Sequence, residues 1–314
     1  MSSNYLLCGV HPNIDAARYH QDPTPEPSLT SSGIKRLFSG SPADFAARHP
    51  KLTKRLPDGK LAWPELFDSS DAQDLGTVVH ALVLGTINQC LVADPEDAPV
   101  TTDQGGAYKT WSGKAAAWKK AQEATGAIVL NREKGEHVQS AAESMIRLLR
   151  DEYDDWPIGD SEVTLIWRRA TSLGPILCRA RVDHLALRHM VLLDPKSTGR
   201  GISDRMLQKM AADDGWGIQA AWYLEGVEQC HPDVDLAGRL RFRFPVVEMT
   251  PPYQARFVDL PEAWIHIARQ RNDRAAELFA KCLAANEWPT YSPVYAPEPP
   301  AWMLAEFENE ETQS

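Results

Sequence analysis

Residues 175–198 read PILCRARVDHLALRHMVLLDPKST. Apolar runs with a period of two flank Arg188-His189, so the stretch predicts a β-hairpin. If the chain turns there, positions whose numbers sum to 377 face each other, and Asp183 and Asp194 are such a pair. Their Cβ atoms would stand about 5 Å apart. Two like charges directly opposite destabilise a sheet unless something positive sits between them. A hard divalent cation does this, because Mg²⁺ takes oxygen ligands at about 2.0–2.1 Å. Solvated acids on an exposed hairpin are the alternative; against it, Asp194 emerges directly from Val191-Leu192-Leu193. Lys196, two residues on, projects from the same strand face as Asp194. A lysine beside a metal-bound carboxylate can position or deprotonate a water and stabilise phosphate charge, although a surface Asp–Lys pair has the same spacing. Pro195 has no N–H and marks a strand end or bulge, while its carbonyl stays available as an oxygen ligand.

Outward from the hairpin, residues 161–169 and 239–249 read as further strands. Leu75, Val78, Val79, Leu82 and Val83 recur at helical spacing and predict a helix over 71–85. Further helices are expected over 113–124, 133–153, 216–229 and 261–286. Before them, a proline-rich stretch at 20–28 leads to a short helix broken at Gly40 and Pro42. The whole reads as mixed α/β, a central mixed β-sheet flanked by helices. One domain over 1–300 is expected, with an N-terminal helix and loop segment (1–70), a core (71–300) and an acidic tail (301–314).

Other residues stay open at this level. Glu162 is either a further site carboxylate or a solvated strand-end acid. Arg179 and Arg181 alternate with Asp183 and suit either phosphate contacts or structural pairing with acids. His80 flanks an apolar stripe and reads on its own as a core residue, though the small Gly76 one turn earlier leaves room for its ring to approach backbone or a ligand. Gln219 and Tyr223 are spaced i, i+4 and share a helix face, which matters only if that face looks at the sheet.

The 314 residues carry a formal charge of −10, which speaks against a general polyanion binder. Yet residues 168–209 hold nine Arg or Lys against three Asp, a local excess that suits a focused anionic ligand. No apolar run reaches the roughly 18 residues of a membrane span, and no signal peptide is read at the start. The five cysteines (Cys8, Cys90, Cys178, Cys230, Cys282) form no CxxC. A cytoplasmic protein without a disulfide framework or iron–sulfur cluster is expected.

Taken in order, these pieces resemble the PD-(D/E)XK nuclease superfamily, in particular its exonuclease VIII (RecE-type) branch, related to the RecB nuclease domain and found in phages and prophages. The resemblance rests on LGTVVHALVLG with Gly76 and His80, then Glu162, CRARVDHLAL with Asp183, LLDPKST with Asp194-Pro195-Lys196, and GIQAAWYLEG with Gln219 and Tyr223. SLTSSGIKRLFSGSPADFAAR near the start and WPTYSPVYAPEPPAW near the end are similar too, so it covers nearly the whole chain. It implies a restriction-endonuclease-like core. It implies that His80, Asp183, Asp194 and the Pro195 carbonyl bind Mg²⁺, or Mn²⁺ in its place. Lys196 would be the catalytic lysine, with Glu162, Gln219 and Tyr223 as further catalytic positions. Arg179, Arg181 and Arg200 would hold the DNA strand. The implied activity is exonucleolytic, 5′ to 3′ from ends of double-stranded DNA, in a ring-shaped homo-oligomer partnered by a single-strand annealing protein. A non-catalytic DNA-end-binding protein, an endonuclease, or an exonuclease of the other polarity would share the same residues.

Overall fold

The computed structural model describes residues 5–59, 61–63, 71–86, 90–125, 128–236, 238–300 and 303. The acidic tail over 301–314 thus lies, apart from Met303, outside the described residues. The strands are β1 (Gly9–His11), β2 (Ser28–Leu29), β3 (Cys90–Val92), β4 (Ile128–Leu130), β5 (Asp160–Arg169), β6 (Ile176–Ala186), β7 (Val191–Leu193), β8 (Lys196–Thr198), β9 (Arg241–Glu248) and β10 (Ala255–Asp259). The helices are α1 (Ala16–His20), α2 (Ser31–Ser39), α3 (Pro42–Arg48), α4 (Asp71–Leu84), α5 (Gly113–Ala124), α6 (Arg132–Glu152), α7 (Asp204–Asp213), α8 (Trp216–Cys230) and α9 (Glu262–Ala285).

The main sheet runs β1-β5-β6-β7-β9-β10, with β2 alongside β6 and β8 alongside β9. It is mixed: β5–β6, β6–β7 and β9–β10 are antiparallel, while β7 and β8 run parallel to β9. Parallel neighbours need a crossover, and α7 and α8 supply it between β8 and β9. One sheet face packs Leu165, Leu192 and Phe244 against α2, α3, α8 and α9. The other packs Val191, Leu193 and Val247 against α4 and α6. Leu192 and Leu193 are both fully buried, so β7 is covered on both faces, which explains its unbroken apolar run.

The expected hairpin forms in the expected register: His184 faces Leu193, Leu185 faces Leu192 and Ala186 faces Val191. The turn is a 3₁₀ segment, Leu187–His189, closed by Met190 in the left-handed region.

β7 and β8 are one strand interrupted. Leu193 faces Arg243 and Lys196 faces Val246, the same offset on both sides of the gap. The interruption has a backbone cause. In a parallel ladder at this register, Asp194 gives its N–H to residue 243 and takes an N–H from residue 245. The first bond is present, Asp194 N–H to Arg243 O at 3.2 Å. The second cannot form, because residue 245 is proline. Pro195 faces away from β9 by strand alternation, towards a side where β8 no longer pairs with β6. Its missing N–H therefore costs no ladder bond.

Candidate active site

The sheet opens at this interruption, and the polar side chains gather there. Asp194 ends β7 and is buried. Asp183 lies across from it on β6, close enough for the two carboxyls to interact directly. His80 reaches Asp183 from α4, Nε2 to Oδ2 at 2.9 Å. Gln219 reaches Asp194 from α8, Nε2 donating to Oδ1 at 2.8 Å. Lys196 makes an ion pair with Asp194 Oδ2, and its Nζ is 3.5 Å from Gln219 Oε1. Two helices on opposite sheet faces thus meet one acid pair, because the open ladder lets both approach.

Gly76 places His80. A Cβ at Gly76 would stand 3.0 Å from Ser197 Oγ, so the glycine lets α4 lie close to β8 without displacing that hydroxyl. His80, one turn on, then reaches the site and not the core. Tyr223, one turn beyond Gln219, is buried against Phe242 with ring centroids 5.9 Å apart, on the helix that packs against α2.

The electrostatics separate the two acids. Burial pushes Asp183 up, but the His80 imidazole outweighs it and holds the carboxyl below its ordinary range. Asp194 is pushed above it, by burial first and then by Asp183, against the pull of Lys196. Burial works against the charge on His80, yet Asp183 wins and raises it. Lys196 is likewise raised against burial by the two acids. The acid pair is thus faced by the Lys196 ammonium and the His80 imidazole.

These residues fit a hard cation in kind: two carboxylates and an imidazole, with Asp194 Oδ2 buried against the Lys196 ammonium. Cis ligands of an octahedral Mg²⁺ stand about 3 Å apart, and His80 and Asp183 already meet that spacing. Among the described residues no three His, Cys, Asp or Glu side chains form a ready-made cage. A cation would also have to draw on backbone oxygen. By strand alternation the Pro195 carbonyl faces β6, the side on which Asp183 lies.

Four expected site residues are engaged elsewhere. Glu162 interrupts the β5–β6 ladder between Ser161 and Val163, taking a φ of 56° that a non-glycine residue rarely adopts. Its carboxylate goes to Arg181 at 2.9 Å and not to the acid pair. Arg181 also donates to Ile14 O. Arg179 is buried against Asp22 at 3.0 Å. Arg200 pairs with Asp214 at 2.7 Å. The basic stretch 168–209 is largely neutralised in this way, since Arg169, Arg188 and Lys209 are ion-paired as well.

The concentrated positive surface lies instead on the N-terminal segment. A cavity of about 940 Å³ is lined by Arg36, Arg48, Lys51, Arg55 and Arg179, with no Asp or Glu in its wall. Six Arg or Lys against one Asp over residues 35–55 were the sequence signal for it. A second unanticipated residue is Lys35 on α2, half-buried. Burial and then Lys196 push it down to about 8, against the attraction of Asp194 and Asp214.

No protein-family model matches the chain, and no curated protein matches it. Among solved structures it is similar to the "Putative exonuclease" of Eubacterium rectale, with a TM-score of 0.52 and 13% identity over 93% of this chain and 96% of that one. The structure of SSO0001 aligns over 52% of this chain and 69% of its own at 12% identity. Its TM-score of 0.26 carries no argument. At these identities the likeness is one of fold, and the mixed sheet flanked by helices is compatible with a restriction-endonuclease-like core. No helix among the described residues is long and apolar enough to cross a membrane.

Proposed function

We propose that this chain is a Mg²⁺-dependent exodeoxyribonuclease that degrades linear duplex DNA from its ends, 5′ to 3′, leaving 3′ single strands for annealing. The observation that carries the reading is the buried Asp183–Asp194 pair at a strand interruption, bracketed by His80, Lys196 and Gln219. A structural role does not call for two like acids in one buried place. A similar fold in a protein called a putative exonuclease supports it further.

His80, Asp183, Asp194 and the Pro195 carbonyl would hold the cation, which when bound supplies Lewis acidity toward a phosphoryl oxygen and its water. Lys196 has its ammonium beside Asp194, where it holds a water for attack and faces the charge that grows on phosphate. Gln219 fixes the Asp194 carboxylate by its amide. Tyr223 braces the helix that carries Gln219. The cavity on α2 and α3 shares β6 with the acid pair through Arg179, and it would receive backbone phosphates, which need charge and no sequence. An annealing partner and a ring-shaped oligomer belong to the same proposal.

Duplexes labelled at the 5′ or the 3′ end, linear or closed into a circle, test it. Mg²⁺-dependent release from linear DNA alone, 5′ label first, is expected, and Lys196→Ala should reduce it by about 10³ or more. No release from linear duplex, or equal release by Lys196→Ala, would sink the proposal.

A further inference from the structure

Lys35 is a lysine whose charge the free protein does not use. Among the described residues it makes no hydrogen bond and no ion pair. The acids near it are engaged by others: Asp214 by Arg200 at 2.7 Å, Asp194 by Lys196 and by Gln219 at 2.8 Å. The strongest like charge acting on it is Lys196.

Its course is built. Ser31, one turn earlier on α2, is buried, and α2 packs directly against α8. Gly215 caps α8 with a φ of 64°. A Cβ there would stand 3.1 Å from Lys35 Cε and 3.3 Å from Cδ and Cγ. The glycine therefore leaves a channel in which the lysine stem lies flat. Gln219, the residue that holds Asp194, is one turn further along α8.

A stem fixed in this way needs no charge for packing, since methionine would fill the same channel. Keeping an ammonium half-buried with no hydrogen bond or ion pair among the described residues is unfavourable in the free protein. The arrangement becomes favourable when an anion enters, because one anion satisfies both cations.

We propose that Lys35 is a substrate contact of this site, holding a non-bridging oxygen of the DNA phosphodiester laid over the acid pair. This rests on the nuclease reading above and adds a residue to it. Lys196 then serves the reacting water, and Lys35 serves the phosphate.

The test measures binding of a fluorescent blunt duplex in EDTA and again in Ca²⁺, over a range of salt, for wild type, Lys35→Met and Lys35→Arg. Lys35→Met should bind about tenfold more weakly at low salt, and the slope of log affinity against log salt should shrink by about 1. Lys35→Arg should recover most of both. Thermal melting of Lys35→Met should match or exceed wild type, since an unpaired charge is removed. Wild-type binding with an unchanged affinity and slope for Lys35→Met overturns this proposal alone, as does a lowered melting temperature for that variant. A wild type that binds duplex in neither condition overturns the nuclease reading and this proposal together.

Discussion

Asp22 and Asp194 are both buried, yet their surroundings push them in opposite directions. Burial raises Asp22 first, but hydrogen bonds and charges from His49, Arg179 and Thr24 overcome it and hold the carboxyl well below its ordinary range. Its oxygens also accept from Ser28 N–H at 2.9 Å and from Ser28 Oγ at 2.8 Å. Asp194 has a like charge for a neighbour and stays raised. A buried acid held low by its partners is structural; one raised by a second acid beside it suggests chemistry. Asp22→Asn leaves Arg179 buried without its charge partner and should cost about 3–5 kcal/mol in chemical denaturation. Because the folded carboxyl is held low, its contribution is full above the unfolded value of about 3.9 and is lost as pH falls through the folded value. The wild type should therefore lose stability below about pH 4, and Asp22→Asn should lose less over the same range. Equal acid sensitivity of the two proteins would refute this account of Asp22.

The interruption between β7 and β8 belongs to the scale of the element, and it makes the site. Pro245, not Pro195, breaks the ladder, because residue 245 owes Asp194 a donor and proline has none. Pro245→Ala should supply that donor. The new bond is worth about 1 kcal/mol, against about 0.4–1 kcal/mol lost through a freer unfolded chain. Stability should hardly move, while Asp194 is drawn toward β9 and nuclease turnover falls at least tenfold. Turnover equal to wild type with an intact fold would show that the open ladder is not needed. The hairpin itself was legible in the sequence, because a single register equation paired Asp183 with Asp194 and alternation added Lys196. Gly76 and the i, i+4 pair Gln219 and Tyr223 were legible as spacings; that they converge was not. Alternation put Arg179 and Arg181 on the face of Asp183, but Val182 and Leu185 join the same core cluster, so β6 does not alternate strictly through Asp183. The partners of the two arginines, Asp22 and Glu162, were not visible. Asp22 sits in a proline-rich stretch more than 150 residues away in sequence, and Glu162 turns through a left-handed conformation that no periodicity predicts. Elements as short as β2 and β10 have too few residues to show a period, whereas α7 carries one in Leu207, Met210 and Ala211.

At the scale of the molecule, charge is sorted and not merely abundant. A chain of net charge −10 repels DNA over most of its surface, so binding must be confined to places where cations lack partners. The sequence stretch richest in arginine fails that condition, since its side chains are paired within the fold. The cavity on α2 and α3 comes nearer to it: Lys51 and Arg179 pair with Asp22, but among the described residues Arg55 bonds backbone carbonyls alone, Gly59 O at 3.0 Å and Pro50 O at 3.4 Å. Arg48 shares the exposed Asp44 with Arg36, and such surface pairs are worth under about 1 kcal/mol. Both arginines can turn to phosphate at little cost. Binding and cleavage should therefore separate. Reversing Arg48 and Arg55 to glutamate should weaken duplex binding by at least tenfold and flatten its salt dependence. Hydrolysis of a small chromogenic phosphodiester with Mg²⁺ should be unchanged, because that substrate needs only the acid pair and Lys196. Lys196→Ala should show the reverse, with duplex bound and neither substrate cut. If the reversed pair binds duplex as wild type does, DNA does not use this cavity; if it also loses the small substrate, cavity and acid pair act as one site and the separation argued here fails.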